Sequence, residues 1–200
     1  MSDKRMYHEF NSDNEAKQWA DVNFKQWLHT LNDKKSESTD LLYYYSGNLS
    51  LLYNRYLKGL ISFSPNEIEE YLKGIDTLVD EIHKHELPEN IIVYRYTRKK
   101  WMEEIMTSAN FKSENTFIDK GFLSTTLVPD LLRKFAKEHR YDCVLKIFLP
   151  KGTKAVYINY DNSVLNEHEI LLPPNSSLRL IKKHISMRYS YVYECELIDQ

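Results

Sequence analysis

Apolar residues recur at helical spacing through roughly the first ninety positions and in short β-type runs thereafter. Ala16, Trp19, Ala20, Phe24, Trp27, Leu28 and Leu31 fall on one side of a helix predicted over Asn14 to Leu31. Asn32 to Thr39 is polar and breaks the period, so a loop is expected there. Asp40 to Leu60 predicts a second helical region, interrupted near Tyr45-Ser46-Gly47. Ser64-Pro65-Asn66-Glu67 has the pattern of a helix start, with Ser64 as N-cap, Pro65 at the first position and Glu67 at the third. The helix it opens is expected to reach about His85 and to bury Ile68, Tyr71, Leu72, Ile75, Leu78, Val79 and Ile82. Leu87-Pro88-Glu89-Asn90 ends it.

The pattern then changes. Ile91 to Tyr96 reads as a strand, and Lys99 to Ala109 as one more helix. Gly121 to Leu127 predicts a strand, Pro129 to His139 a helix, and Cys143 to Leu149 a strand. Pro150-Lys151-Gly152-Thr153 is a turn signal before a strand over Lys154 to Ile158. A polar loop, Asn159 to Asn166, leads to a strand that starts at Glu167 and is stopped by Pro173-Pro174. Ser177 to Lys183 and Tyr191 to Ile198 complete the set. Helices first and strands later imply an α+β fold rather than alternating α/β. No linker or repeat interrupts the 200 residues, so one domain is expected, helical over about 1–90 and mainly β over 91–200.

Composition narrows the classes. A net charge of -2, with 28% charged residues, argues against attraction to nucleic acid or to a membrane surface. Five Gly and six Pro argue against disorder and against a Gly-rich phosphate loop. No apolar run approaches the roughly 20 residues that span a bilayer, and Met1 to Phe10 lacks the apolar core of a signal peptide. Cys143 and Cys195 are the two cysteines; two buried thiols are expected, with a disulfide left open. His83 and His85 would lie about 200° apart on a helix and cannot grip one metal together, and no metal site is expected.

Three polar features interrupt runs that otherwise read as buried strands. Arg95 sits inside Ile91 to Tyr96; it needs either a carboxylate partner, such as Glu169 or Glu194, or a bound phosphate. Ser124-Thr125-Thr126 is either an ordinary run of strand hydroxyls or a hydrogen-bonding rail for a ligand and a nearby carboxylate. Glu167-His168-Glu169 heads the run Ile170-Leu171-Leu172. Strand alternation would put both glutamates on one face, roughly 7 Å apart, and His168 on the other, where it reads as structural. By itself the pair could equally be a solvated strand end.

The order Arg, Ser-Thr-Thr, Glu-X-Glu, each on a separate strand, resembles the mono-ADP-ribosyltransferase family of bacterial toxins. The pattern is most similar to the group that includes binary actin-modifying toxins and clostridial Rho-modifying exoenzymes. The matching segments are Val93-Tyr94-Arg95, Gly121-Phe122-Leu123-Ser124-Thr125-Thr126-Leu127 and Glu167 to Pro173. Tyr45-Ser46-Gly47 with Asn54 and Leu57-Lys58, and the segment Pro150 to Ile158, resemble flanking parts of the family pattern, so the likeness runs from about Asp40 to the C-terminus. Thr126 replaces a Ser, and Lys58 stands where the family usually has Arg, which keeps the charge but loses a bidentate grip.

The resemblance implies N-terminal helices packed on two roughly perpendicular, mainly antiparallel β-sheets. It implies NAD as co-substrate, cleavage of the nicotinamide–ribose bond, and transfer of ADP-ribose to a protein side chain. Glu169 would stabilise the oxocarbenium-like ribose and Ser124 would hold Glu169. Arg95 would bind phosphate, and the main chain next to it, at Tyr96, would meet the nicotinamide amide. Thr125 and Thr126 would line the floor; Tyr45, Asn54 and Lys58 would stand beside the dinucleotide. Phe135 and Arg140 are candidates in a segment where the family pattern is not aligned. Glu167 would handle the acceptor; in the family Glu at this place accompanies arginine acceptors and Gln asparagine. The loop Tyr157 to Asn166, with Tyr160 foremost, would touch a target protein such as actin or a small GTPase. The implied protein is a monomer, secreted or delivered into a target cell. Two other readings use the same residues: an NAD glycohydrolase with water as acceptor, and an inactive binding module.

Overall fold

The computed structural model describes residues 6–107, 115–161 and 166–200. The helix expected over Asn14 to Leu31 is two helices, α1 (Asp13–Asn23) and α2 (Lys25–Asp33). The break is at Phe24, whose backbone leaves the helical region (φ -127°, ψ 15°). Its ring packs against Trp19 and Tyr157 at centroid distances of 5.2 and 5.6 Å. The polar stretch read as a loop is mostly helix. Lys34 closes α2 in the left-handed conformation (φ 47°), and Ser36 opens α3 (Glu37–Tyr44) in a reciprocal capping box with Thr39. The interruption expected near Tyr45-Ser46-Gly47 is a wide π-type turn over Tyr45–Leu49, with Gly47 outside helical geometry, before α4 (Ser50–Leu57).

α5 spans Ile68–His83 and starts later than Ser64-Pro65 predicts. The Ser64 carbonyl accepts from both the Glu67 and Ile68 amides at 3.0 Å, and its hydroxyl donates to the Glu67 carboxylate. The expected capping contacts thus close a turn ahead of the helix instead of forming its first turn. α6 covers Lys99–Thr107; the rest of its expected span lies outside the described residues. The segment after Pro129 begins as a 3₁₀ turn, Pro129–Leu132, and continues as α7 (Arg133–Glu138).

Among the described residues, eight strands form one hydrogen-bonded sheet. They are β1 (Ile91–Thr97), β2 (Thr116–Asp119), β3 (Leu123–Thr126), β4 (Cys143–Leu149), β5 (Val156–Ile158), β6 (Glu169–Leu172), β7 (Ser176–Ser186) and β8 (Ser190–Asp199). Their order is β2-β7-β8-β4-β1-β3-β6-β5, antiparallel except for β4 with β8. The α+β class is as expected. The two expected sheets are two wings of this one, five strands and three, and one register pair, Tyr94 with Thr126, joins them. β2 lacks a periodic signal and was not expected; it adds to the edge of β7. β6 begins at Glu169, not Glu167, because His168 takes a left-handed conformation (φ 43°) that ends strand geometry there.

The core lies between the helices and the inner face of the sheet, with Leu31, Leu42, Leu78, Ile82, Val93, Leu145 and Ile170 fully buried. Cys143 and Cys195 are buried free thiols, both pushed up to about 12 by burial. α1 and α2 cover the outer edge at β5, where the Trp27 indole donates to the Tyr157 carbonyl at 2.6 Å. Trp27→Phe keeps most of the apolar volume but leaves that buried carbonyl unpaired. It should lower unfolding free energy by about 1–3 kcal/mol in urea titration; an unchanged midpoint would mean that this edge is held by packing alone.

Candidate functional site

The wings separate where β1 and β3 stop pairing. In an antiparallel register centred on Tyr94 and Thr126, Arg95 and Tyr96 would face Thr125 and Ser124, yet neither pair forms. A cleft of about 640 Å³ occupies this gap. Its walls come from β1 (Tyr94, Arg95, Tyr96), β3 (Ser124, Thr125, Thr126), the π-type turn with Tyr45 and Asn54 behind it, Glu167 and Glu169, and a rim of Leu132, Phe135, His139 and Tyr141. Nine residues singled out in the sequence therefore meet in one place, together with the candidate Phe135.

Glu169 is the first residue of β6 and is 7% exposed. Burial raises its carboxyl from 4.5 to about 7. The Ser124 hydroxyl beside it opposes that rise, Glu167 adds to it, and the Arg95 charge opposes it. Glu167 is half-buried and its carboxyl is also raised, by burial. The Arg95 guanidinium donates to the Ser124 carbonyl at 3.4 Å. Among the described residues no carboxylate forms a salt bridge with it; Glu194 lies 3.5 Å from His184 instead. A planar cation with free donors therefore faces the cleft, beside a buried carboxyl group.

The hydroxyls of Thr125 and Thr126 are engaged in holding the glutamate segment. Thr125 donates to the Ile170 carbonyl and Thr126 to the Glu167 carbonyl, both at 2.6 Å. Their side chains thus anchor β6 across β3 and are nearly inaccessible, at 4% and 1% exposure. Tyr45 is fully buried; its hydroxyl accepts from the Asn54 side-chain amide at 3.1 Å, and burial and the nearby Glu169 disfavour its ionisation. Tyr96 lines the cleft, and its hydroxyl donates to the Pro129 carbonyl at 3.0 Å, tying the rim to β1.

Three candidates lie elsewhere. Lys58 is not in the cleft wall: its ammonium pairs with buried Asp119 at 2.9 Å. Gly121 makes this approach feasible, since a Cβ there would sit 2.5 Å from Asn54 Oδ1 and 2.9 Å from Lys58 Cε. Tyr160 lines a neighbouring groove of about 810 Å³ with Tyr43, Tyr44 and Lys34, which shares Ser46, Gly47 and Asn48 with the cleft. Arg140 is exposed and left-handed (φ 57°), and does not line the cleft. Sequence reading missed Asp119, His139 and Tyr141. The latter two stack on each other beside Phe135, at 4.0 Å for Phe135–His139, at the end of the expected helix after Pro129, in the segment where the family pattern is not aligned. Asp119 sits in the unexpected β2, where its partner could not be foreseen.

A family profile for the ADP-ribosyltransferase exoenzyme matches residues 16–192. The chain is 25% identical over 199 residues to "Mono-ADP-ribosyltransferase C3" of Clostridium botulinum D phage, covering 90% of this chain and 74% of that protein. It is 28% identical over 142 residues to "NAD(+)--arginine ADP-ribosyltransferase EFV" of Enterococcus faecalis, covering 70% of this chain but only 28% of that protein. The fold superimposes on the crystal structure of C3stau2 from Staphylococcus aureus with NAD at a TM-score of 0.74 and 20% identity, over 97% of this chain and 99% of that one.

The raised Glu169 carboxyl has a consequence for stability. Between pH 4.5 and about 7 the folded protein holds a proton that the unfolded chain has released, so stability falls as pH rises through this window. Glu169→Gln removes that cost. Calorimetry should find parent and variant similar at pH 4.5 and the variant more stable by about 2–3 kcal/mol at pH 8. A difference that does not change with pH would show that the carboxyl titrates normally.

Proposed function

The chain belongs to the ADP-ribosyltransferase exoenzyme family, whose members use NAD as co-substrate, and we propose that it transfers ADP-ribose to an arginine side chain of a target protein. The observation that carries this reading is the meeting of Arg95, Ser124, Glu167 and Glu169 in one cleft, with Glu169 buried. Arg95 binds a phosphate of NAD through its free guanidinium donors. The main chain at Tyr96 receives the nicotinamide amide, and Phe135 stands on the opposite rim. The bond between ribose C1′ and the nicotinamide nitrogen breaks, and its electron pair leaves with nicotinamide. The ionised Glu169 faces the positive charge that grows on the ribose, in a low-dielectric setting where a charge acts strongly. Ser124 keeps that carboxylate in place. Thr125 and Thr126 act one step back, by fixing the backbone that carries both glutamates.

Glu167 serves the acceptor. A guanidinium is a poor nucleophile while protonated; Glu167 orients it and takes its proton as the new C–N bond forms at C1′. The E. faecalis relative is by name an arginine transferase, which supports arginine as the acceptor. Tyr160 and its groove lie beside the cleft and receive the surface of the target protein, for which actin or a small GTPase is a suitable candidate. The chain acts as one catalytic domain, secreted or delivered into a target cell. Among the described residues no helix is long and apolar enough to cross a membrane.

Incubation with labelled NAD and cell lysate tests the activity. A discrete labelled protein band is expected, and nicotinamide release without any labelled protein would favour hydrolysis instead. Glu167→Gln should abolish arginine modification and keep much of the NAD cleavage, measured as nicotinamide release; an equal fall in both would contradict the division between the glutamates. Arg95→Lys should weaken NAD binding roughly tenfold or more by calorimetry, because an ammonium cannot replace the planar fork. Unchanged affinity would remove Arg95 from the phosphate site.

A further inference from the structure

The residue between the two glutamates is held by groups far from the cleft. His168 is 1% exposed and points away from the cleft, into the layer under α1. Its Nδ1 lies 2.6 Å from the Tyr157 hydroxyl and its Nε2 2.8 Å from Asp13 Oδ1. Nε2–H donates to the Asp13 carboxylate, and the Tyr157 hydroxyl, which can donate or accept, pairs with Nδ1. Tyr157 is itself held, its ring against both Trp19 and Phe24 and its carbonyl on Trp27. Asp13 is the first residue of α1 and its side chain is 45% exposed.

The backbone at His168 is where this matters. The Glu167 carbonyl is pinned by Thr126, and the His168 carbonyl accepts from the Leu127 amide at 3.1 Å. Between these pins His168 adopts φ 43°, a conformation that costs a side-chain-bearing residue about 1 kcal/mol or more. Two hydrogen bonds at its imidazole, with Tyr157 and Asp13, hold it there. The turn at His168 takes Glu167 out of the strand while Glu169 stays in it. The angle between the two carboxylates thus depends on a side chain that touches neither.

We propose that the chain Asp13–His168–Tyr157 is a positioning device that fixes Glu167 relative to Glu169, and thereby sets the division of cleaved NAD between an arginine acceptor and water. The second half rests on the acceptor reading above; the first half stands on geometry alone. The α1–α2 pair, through Asp13 and the clamp on Tyr157, is then part of the specificity apparatus rather than a cover for the sheet edge.

The test uses the full chain with NAD and agmatine, an arginine analogue, and compares the parent with His168→Asn, Asp13→Asn and Tyr157→Phe. Asn tolerates the left-handed conformation, Phe keeps the ring volume, and Asp13 is partly exposed, so at least Asp13→Asn folds. ADP-ribosylagmatine formed per nicotinamide released should fall roughly fivefold or more in His168→Asn and by a smaller factor in Asp13→Asn, with KM for NAD nearly unchanged. A proportional loss of both products, or a rise in KM without a change in their ratio, overturns the proposal, because a purely structural residue would act in that way. If the parent forms no ADP-ribosylagmatine, the acceptor reading fails separately, and carboxyl titration by NMR with carbon-13-labelled glutamate decides the positioning. His168→Asn should then move the Glu169 midpoint toward that of Glu167→Gln; an unmoved midpoint overturns the device whatever the enzyme transfers.

Discussion

One register pair, Tyr94 with Thr126, holds the two wings of the sheet together, and the site exists because no second pair forms. Continuing the ladder would bring Arg95 against Thr125 and Tyr96 against Ser124 and close the cleft. Instead β1 keeps its full seven-residue ladder to β4, and β3 spends its pairing on β6. The unpaired ends leave an arginine and a serine facing an opening into which β6 delivers Glu169. Polar groups that would be costly inside a continuous sheet are tolerated there because they border a cavity.

The neighbouring elements work to keep this gap in one shape. The Thr125 and Thr126 hydroxyls tie β6 to β3 in addition to the ladder. Lys58 and Asp119 pair beneath Gly121, so α4 rests directly on the approach to β3. The Tyr96 hydroxyl holds the Pro129 rim. A carboxyl buried beside a guanidinium without a salt bridge is an unfavourable arrangement for stability, and a rigid surround keeps it from relaxing. This is the usual exchange at a preorganised site, where strain and unpaired charge persist because the frame over-determines them.

Much of this was legible in the sequence, for reasons that differ by residue. Arg95 and Ser124-Thr125-Thr126 stood out because charge and hydroxyls interrupt apolar strand runs, and Glu167-His168-Glu169 because it heads one. Residues from three separate parts of the sheet region thus line one cleft. Lys58 was harder: its partner Asp119 sits on a four-residue edge strand too short to show a period. Tyr160 was expected near the acceptor, and its groove adjoins the cleft without lining it. The split at Phe24 reflects packing on Tyr157, a contact 133 positions away, which no local pattern encodes. His168 reads from the sequence as structural, on the face opposite the glutamates. Strand alternation suggested that face correctly, but a left-handed kink and a bond to Asp13 produce it.

The central claim is that the buried carboxylate of Glu169 drives cleavage of NAD and is not required to bind it. Binding by calorimetry and nicotinamide release under single turnover, measured side by side for the parent and Glu169→Gln, test it most directly. The expected result is near-equal affinity with cleavage slowed by roughly a hundredfold or more, and parent cleavage that rises with pH through about 7 as the carboxyl ionises. Cleavage retained in Glu169→Gln, or lost only in step with NAD affinity, would contradict it.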